Sequence, residues 1–251
     1  MVKGVYMKAK KKNLETKLYG RHACLSLFKH RPDDLIRVYI TEAGVFEFRP
    51  LIKHCVENKL AYHIVSADEL ENITKSTHHE GIGIVAKRRQ QPELKDILKE
   101  EGLIIALEGV ENPHNLGAIM RSAAHFGVKA IVYEAKVPVA LSAAAQRTAE
   151  GGAEGPYTYH LDNWHDFLDQ ANRSGFKIYA TSSHKGDSLY KVKFGPKSIL
   201  FFGAEGEGLS QKMSQKIKEF LQIPGTGMVE SLNVSNATAV ILSEWYRQIN
   251  S

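Results

Sequence analysis

Leu103-Ile104-Ile105-Ala106-Leu107-Glu108-Gly109-Val110-Glu111-Asn112-Pro113-His114-Asn115-Leu116-Gly117 is the stretch on which the fold turns. Its first five residues are an unbroken apolar run, the pattern of a strand covered on both faces. A polar loop follows. Leu116, Ile119, Met120, Ala123 and Ala124 then share one face of a helix read from about 115 to 126. Strand, loop and helix in that order are the unit of an α/β fold with a largely parallel sheet. The alternation continues downstream, with strands expected at 130–133, 177–181, 198–202 and 221–223, and helices at 163–173, 212–220 and 235–249. Parallel sheets of this kind bind ligands at the carboxyl ends of their strands. The loops after Leu107, Phe202 and Ile223 are therefore the places to look for a site.

Upstream the pattern is smaller in scale. Ala23, Leu27 and Phe28 fit a helical stripe that Pro32 ends. Strands are expected at 35–40, 61–65 and 81–85, and a helix at 46–58. Ser66-Ala67-Asp68-Glu69 has the form of a capping box. Lys87 to Pro92 is polar, charged and closed by proline, as a linker would be. Lys3, Lys8, Lys10, Lys11 and Lys12 all precede the first acid, Glu15. The expected division is a flexible basic arm at 1–17, a small αβ domain at 18–87, a linker at 88–98 and the larger α/β domain at 99–251.

Composition narrows the function classes. The 251 residues carry 33 Lys+Arg against 28 Asp+Glu, a formal charge of +5 that favours a polyanionic partner. The 2 cysteines, Cys24 and Cys55, form neither a disulfide framework nor a C-x-x-C site, which suits a reducing cytoplasm. No apolar run is long enough to cross a bilayer, and no apolar core follows the N-terminal lysines, so neither a membrane protein nor a secreted one is expected. His78-His79-Glu80 invites a metal reading, but adjacent histidines do not face one site, and no metal is expected. The absence of G-x-S-x-G speaks against a Ser-His-Asp hydrolase.

Three loops carry polar chemistry. In the first, Asn112 before Pro113 suits a helix cap, or a substrate contact; Arg121, off the apolar stripe, is either a surface arginine or a phosphate ligand near the N-terminal end of its helix. The second, Phe202-Gly203-Ala204-Glu205-Gly206-Glu207-Gly208-Leu209, follows an apolar strand directly; its glycines permit a tight turn or a close ligand. The third alternates polar and apolar residues through Glu230-Ser231-Leu232-Asn233-Val234-Ser235, with Ser235 placed to cap the last helix.

Together these loops strongly resemble the SpoU (TrmH-like) family of the SPOUT superfamily, the RNA ribose 2′-O-methyltransferases. Asn112-Pro113-x-Asn115-x-Gly117-Ala118-Ile119-x-Arg121 looks like the family's first motif, Phe202-Gly203-x-Glu205-Gly206-x-Gly208-Leu209-Ser210 its second, and Ile223-Pro224-x-x-Gly227-x-x-Glu230-Ser231-Leu232-Asn233-Val234-Ser235-x-Ala237 its third. Tyr19-Gly20-Arg21-His22-Ala23 and His79-Glu80-Gly81-Ile82 are similar to the L30e/L7Ae-like RNA-binding domain that precedes many members. Two stretches depart from the pattern. Residues 147–153, Arg-Thr-Ala-Glu-Gly-Gly-Ala, replace the commoner Ser-x-Gly-Ala form, and glycine follows Pro224 where many relatives carry methionine.

The resemblance implies a C-terminal sheet tied into a deep trefoil knot and a homodimer with the closing helix at its interface. It implies S-adenosylmethionine held mostly by backbone at Gly203, Ile223 and Leu232, with Ser231 beside it. The catalytic set it implies is Arg121, Asn112, Glu205, Ser231 and Asn233. Arg121 would stabilise the developing alkoxide and an adjacent phosphate, because a guanidinium stays protonated. Asn112 and Asn233 would orient the ribose, and Ser231 the substrate or cofactor. The proton would leave through Glu205, an RNA phosphate or water. The substrate class is structured RNA, ribosomal RNA before tRNA, since an L30e-like domain suits a folded, kinked RNA. The competing expectation is a non-catalytic RNA-binding or ribosome-assembly factor that keeps the fold. A nucleotide-binding α/β enzyme of another kind is disfavoured by the lack of any phosphate-loop fingerprint.

Overall fold

A computed structural model of the protein describes residues 15–134, 142–204 and 206–251. The lysines of the basic arm from Lys3 to Lys12, and Glu205, lie outside the described residues. The chain divides into two compact units between Gln90 and Gln91.

The first unit is a four-stranded sheet with helices β1 (Glu15–Tyr19), α1 (Arg21–His30), β2 (Leu35–Thr41), α2 (Arg49–Glu57), β3 (Ala61–Val65), α3 (Ala67–Thr74) and β4 (Ile82–Lys87), in strand order β1-β4-β2-β3. β4 runs antiparallel to both β1 and β2, whereas β2 and β3 are parallel, with α2 as their crossover. Leu18, Leu27, Val38, Ile40, Phe48, Leu51, Ile82 and Ile84 form the core together with both cysteines. Burial pushes the Cys24 thiol far above the ordinary range and raises Cys55 too, which suppresses thiolate formation at both. Ser66 accepts from Glu69 N and the Glu69 carboxylate from Ser66 N, completing the capping box. β1 begins inside the stretch read as basic arm. Only Leu18 and Tyr19, the last two of its five residues, are buried, so β1 shows no alternation to reveal it. The helix expected at 46–58 starts later, at Arg49, because Phe46 lies exposed in the preceding turn.

The second unit contains α4 (Leu94–Ile97), β5 (Gly102–Glu108), α5 (Pro113–His125), β6 (Ala130–Glu134), α6 (Ala143–Thr148), β7 (Tyr157–His160), α7 (Trp164–Arg173), β8 (Lys177–Thr181), β9 (Asp187–Ser188), β10 (Lys197–Phe202), α8 (Gln211–Lys216), β11 (Glu219–Gln222) and α9 (Val234–Ile249). Its seven strands lie in the order β7-β6-β5-β10-β8-β11-β9, and every adjacent pair is parallel. Two cores explain the unbroken apolar run of β5. Leu103, Ile105 and Leu107 face a cluster with Ile119 and Met120 of α5 and Ile241, Leu242 and Trp245 of α9. Ile104 and Ala106 face the opposite cluster, with Phe167 and Leu168 of α7 and Met213 of α8. β10 alternates in the same way, Leu200 and Phe202 to the first core, Ile199 and Phe201 to the second.

The chain lays down β5, β6 and β7 outward in one direction, then starts again at β8 on the other side of β5. β10 later slots between β5 and β8, and β11 between β8 and β9. The order thus reverses beside β5 and β10, the place where a parallel sheet opens a crevice at its carboxyl edge. The helix expected at 212–220 stops at Lys216, because Phe220 belongs to β11. Among the described residues no helix is long and apolar enough to cross a membrane.

Candidate functional site

The three polar loops leave the carboxyl ends of β5, β10 and β11, and side chains tie them to one another. Glu108, the last residue of β5, accepts hydrogen bonds from Ser210 N at 2.9 Å and Ser210 Oγ at 2.7 Å across 102 residues of sequence. Ser210 Oγ also accepts from Met213 N, so one hydroxyl caps α8 and fastens the second loop to the first. A Cβ on Gly109 would stand 3.0 Å from the Ala204 Cβ, which shows how closely the two loops abut. The third loop joins through Asn233, whose Nδ2 donates to Asn115 Oδ1 at 3.1 Å. Gln222 Nε2 donates to the Ser183 carbonyl at 2.8 Å, and His184 lies 3.3 Å from the Glu230 carboxylate, so the loop after β8 is tied to the third loop as well.

Three of the expected residues, Asn112, Asn233 and Gly203, have a definite local role. Asn112 caps α5, its Oδ1 accepting from His114 N at 2.9 Å, while Pro113 occupies the first helical position. Asn233, and not Ser235, caps α9: its Oδ1 accepts from Ser235 N at 2.9 Å and from Ser235 Oγ at 2.6 Å. Ser235 serves the cap as a second donor instead of forming it. Gly203 is demanded by its own loop. Ala204 and Gly208 exchange backbone hydrogen bonds of 3.0 and 2.9 Å, and a Cβ on Gly203 would fall 2.1 Å from the Gly208 carbonyl carbon. Ile223 is half-buried against the first core, whereas Ser231 is exposed and Leu232 is 47% exposed. Glu205 lies outside the described residues.

Arg121 departs from its expected position. It is not near the helix start but about 12 Å along α5 from Pro113. The expectation placed the helix start two residues late and took the loop to extend further. The Arg121 Nη1 lies 2.8 Å from Glu150 Oε2. α5 is held here by close backbone contact. A Cβ on Gly117 would stand 2.5 Å from the Ala145 carbonyl oxygen and 2.6 Å from the Thr148 Cβ.

His79 and Glu80 build the turn before β4: His79 Nδ1 accepts from Gly81 N at 3.1 Å, and Glu80 Oε2 from Arg21 N at 2.8 Å. Glu108, Asn115 and Glu150 were not singled out from sequence. Glu108 and Asn115 had a signal, one ending a buried strand and the other standing inside the first motif. For Glu150 the signal was an acid in the stretch that departs from the common pattern.

Residues 102–243 match the SpoU rRNA Methylase family, and residues 17–92 match the domain described as RNA 2′-O ribose methyltransferase substrate binding. The uncharacterized tRNA/rRNA methyltransferase YfiF of Escherichia coli O157:H7 is 38% identical over 93% of this chain and 68% of its own length. A Haemophilus influenzae tRNA/rRNA methyltransferase, also uncharacterized, is 33% identical over 92% of this chain and 66% of its own, so the chain spans about two thirds of these two relatives. The 23S rRNA (guanosine-2′-O-)-methyltransferase RlmB of Bordetella pertussis is 31% identical over 92% of this chain and 96% of its own. Among solved structures, the AdoMet-bound rRNA methyltransferase of Sinorhizobium meliloti superposes with a TM-score of 0.78 at 21% identity, covering 98% of this chain and 92% of that one. The SpoU methyltransferase AviRb of Streptomyces viridochromogenes gives 0.80 at 19% identity, covering 96% and 93%. At these identities the structures speak for the fold.

Proposed function

The chain belongs to the SpoU rRNA Methylase family, and from that premise we propose that it transfers a methyl group from S-adenosylmethionine to a ribose 2′-hydroxyl of structured RNA, ribosomal RNA before tRNA. The observation that carries the reading is the joining of three remote loops at one sheet edge, through Glu108–Ser210 and Asn115–Asn233. The RlmB relatives, named for 23S rRNA and similar over nearly their whole length, support ribosomal RNA. The trefoil knot implied by the family agrees with the late insertion of β10 and β11 between earlier strands. With an RNA substrate of this kind the protein would act in the cytoplasm.

The residues present fit the cofactor. Met228, Val229 and Leu232 stand exposed in the third loop, apolar surface that an adenosyl and methionyl ligand would cover. Backbone at Gly203, Ile223 and Leu232 would hold it, with Ser231 alongside. When bound, it supplies an activated methyl group. The protein's own contribution is to hold the ribose in line and to stabilise charge. Arg121 faces the oxygen that changes charge, where a cation already held in place costs no reorganisation during the reaction. Asn112 orients the ribose through its amide Nδ2, since its Oδ1 is committed to the helix cap. Asn233, bonded to both Asn115 and Ser235, orients by holding the first and third loops together. The proton leaves through Glu205, an RNA phosphate or water. Tyr246 and Ile249 stay exposed on the last turns of α9, the apolar face through which a second copy docks.

Calorimetric titration with S-adenosylmethionine tests the reading against a pure RNA-binding factor. The enzyme is expected to give a saturable heat; a flat trace would favour the factor.

A further inference from the structure

We propose that Glu150 is a positioning residue for the methyl transfer, holding the Arg121 guanidinium by one edge so that its other edge meets the substrate oxygen; this rests on the functional reading above. Glu150 Oε2 lies 2.8 Å from Arg121 Nη1. That leaves the edge formed by Nε and Nη2 for the two-point contact a guanidinium makes with a phosphate or an alkoxide.

The local sequence rules argue against an acid at this position. Glu150 follows the end of α6 with φ 46, in the left-handed region where helices ordinarily place glycine. Glycine is available one residue later, at Gly151. A carboxylate beside a helix C-terminus also opposes the helix dipole. Two preferences broken at one residue, with a compensating partner on α5, is the pattern of a functional position.

The carboxylate reaches Arg121 from a backbone that is itself fixed. A Cβ on Gly152 would stand 2.7 Å from the Arg121 Cα, and one on Gly155 2.6 Å from the Ala124 Cβ, so this stretch lies directly on α5. The ion pair is half-exposed, with side chains 59% and 42% accessible, and such pairs add little to stability. What Glu150 supplies is the orientation of a long, otherwise mobile side chain.

Glu150→Gly tests this, because glycine relieves the left-handed backbone and keeps the fold. The thermal midpoint is expected to match or exceed that of the wild type. kcat should fall by about 10- to 100-fold, as for a misplaced reacting group, with KM for S-adenosylmethionine little changed. Glu150→Gln, which keeps the hydrogen bond, should recover part of the loss. In an Arg121→Ala background Glu150→Gly should cost nothing further. A second readout needs no substrate. The Arg121 Nη resonances, assigned with Arg121→Lys, should show hindered rotation in the wild type and averaging in Glu150→Gly. Unchanged kcat in Glu150→Gly, or unchanged Arg121 resonances, would overturn the proposal. A wild-type protein that methylates no RNA would instead defeat the functional reading, and the resonances would still decide whether Glu150 holds Arg121.

Discussion

Arg121→Ala removes the cation proposed to meet the reacting oxygen, and turnover should fall by about 10²–10³-fold or more, while S-adenosylmethionine still binds in a calorimeter. Arg121→Lys keeps the charge and loses the planar fork, so any activity it retains measures charge alone. Retention of full turnover by Arg121→Ala would remove the residue from the chemistry. Gly117 poses a different question, because two effects oppose each other. Alanine gains about 1 kcal/mol in helix propensity. Its Cβ would also stand 2.5 Å from the Ala145 carbonyl oxygen, which neighbouring helix backbone holds in place. Overpacking of that kind costs about 1–3 kcal/mol, so a lower thermal midpoint is expected for Gly117→Ala. A raised midpoint would mean that α6 yields.

At the scale of elements, α9 is fastened to the chain before β10. Arg247 Nε and Nη2 each donate to Glu244 at 2.8 Å, and Gln248 donates to Glu244 Oε1 at 2.8 Å and to the Val192 carbonyl at 2.9 Å. Gln248 Oε1 accepts from Phe194 N at 3.1 Å. The hydrogen bonds from Arg247, then from Gln248, hold the Glu244 carboxyl down from 4.5 to about 2. A carboxylate with a depressed folded pKa stabilises the native state above its unfolded value and loses that contribution as it protonates. The difference in urea midpoint between wild type and Glu244→Gln should therefore be full above pH 4.5 and close as pH falls towards about 2. A gap independent of pH would contradict the assignment.

Elements were legible where one signal dominated. β5 and β10, buried on both faces, read as unbroken apolar runs, and the capping box marked α3. β9 has two residues and β1 has two buried ones, so neither offers a pattern. The three candidate loops were legible through their motifs. Their wiring was not, since Glu108 with Ser210 and Asn115 with Asn233 meet only after the sheet has been assembled.

For the whole molecule, the charge of +5 and the lysines before Glu15 bear on RNA affinity. Because β1 starts at Glu15, a truncation that spares the fold must stop at residue 14. Deleting residues 1–14 should flatten the dependence of RNA affinity on log[salt] by roughly 0.7–0.9 for each phosphate the arm neutralises. An unaltered slope would remove the arm from binding. The dimer proposed through α9 should appear in light scattering and be weakened by Tyr246→Glu/Ile249→Glu, which charge two exposed apolar side chains of that helix. A wild-type monomer at micromolar concentration would contradict that. The most direct test of the account is a mass-spectrometric map of ribose methylation in RNA from cells lacking the protein, restored with wild type or with Arg121→Ala. One 2′-O-methyl mark should vanish and return only with the wild type; identical maps in all three would show that the converging loops serve some purpose other than methyl transfer to RNA.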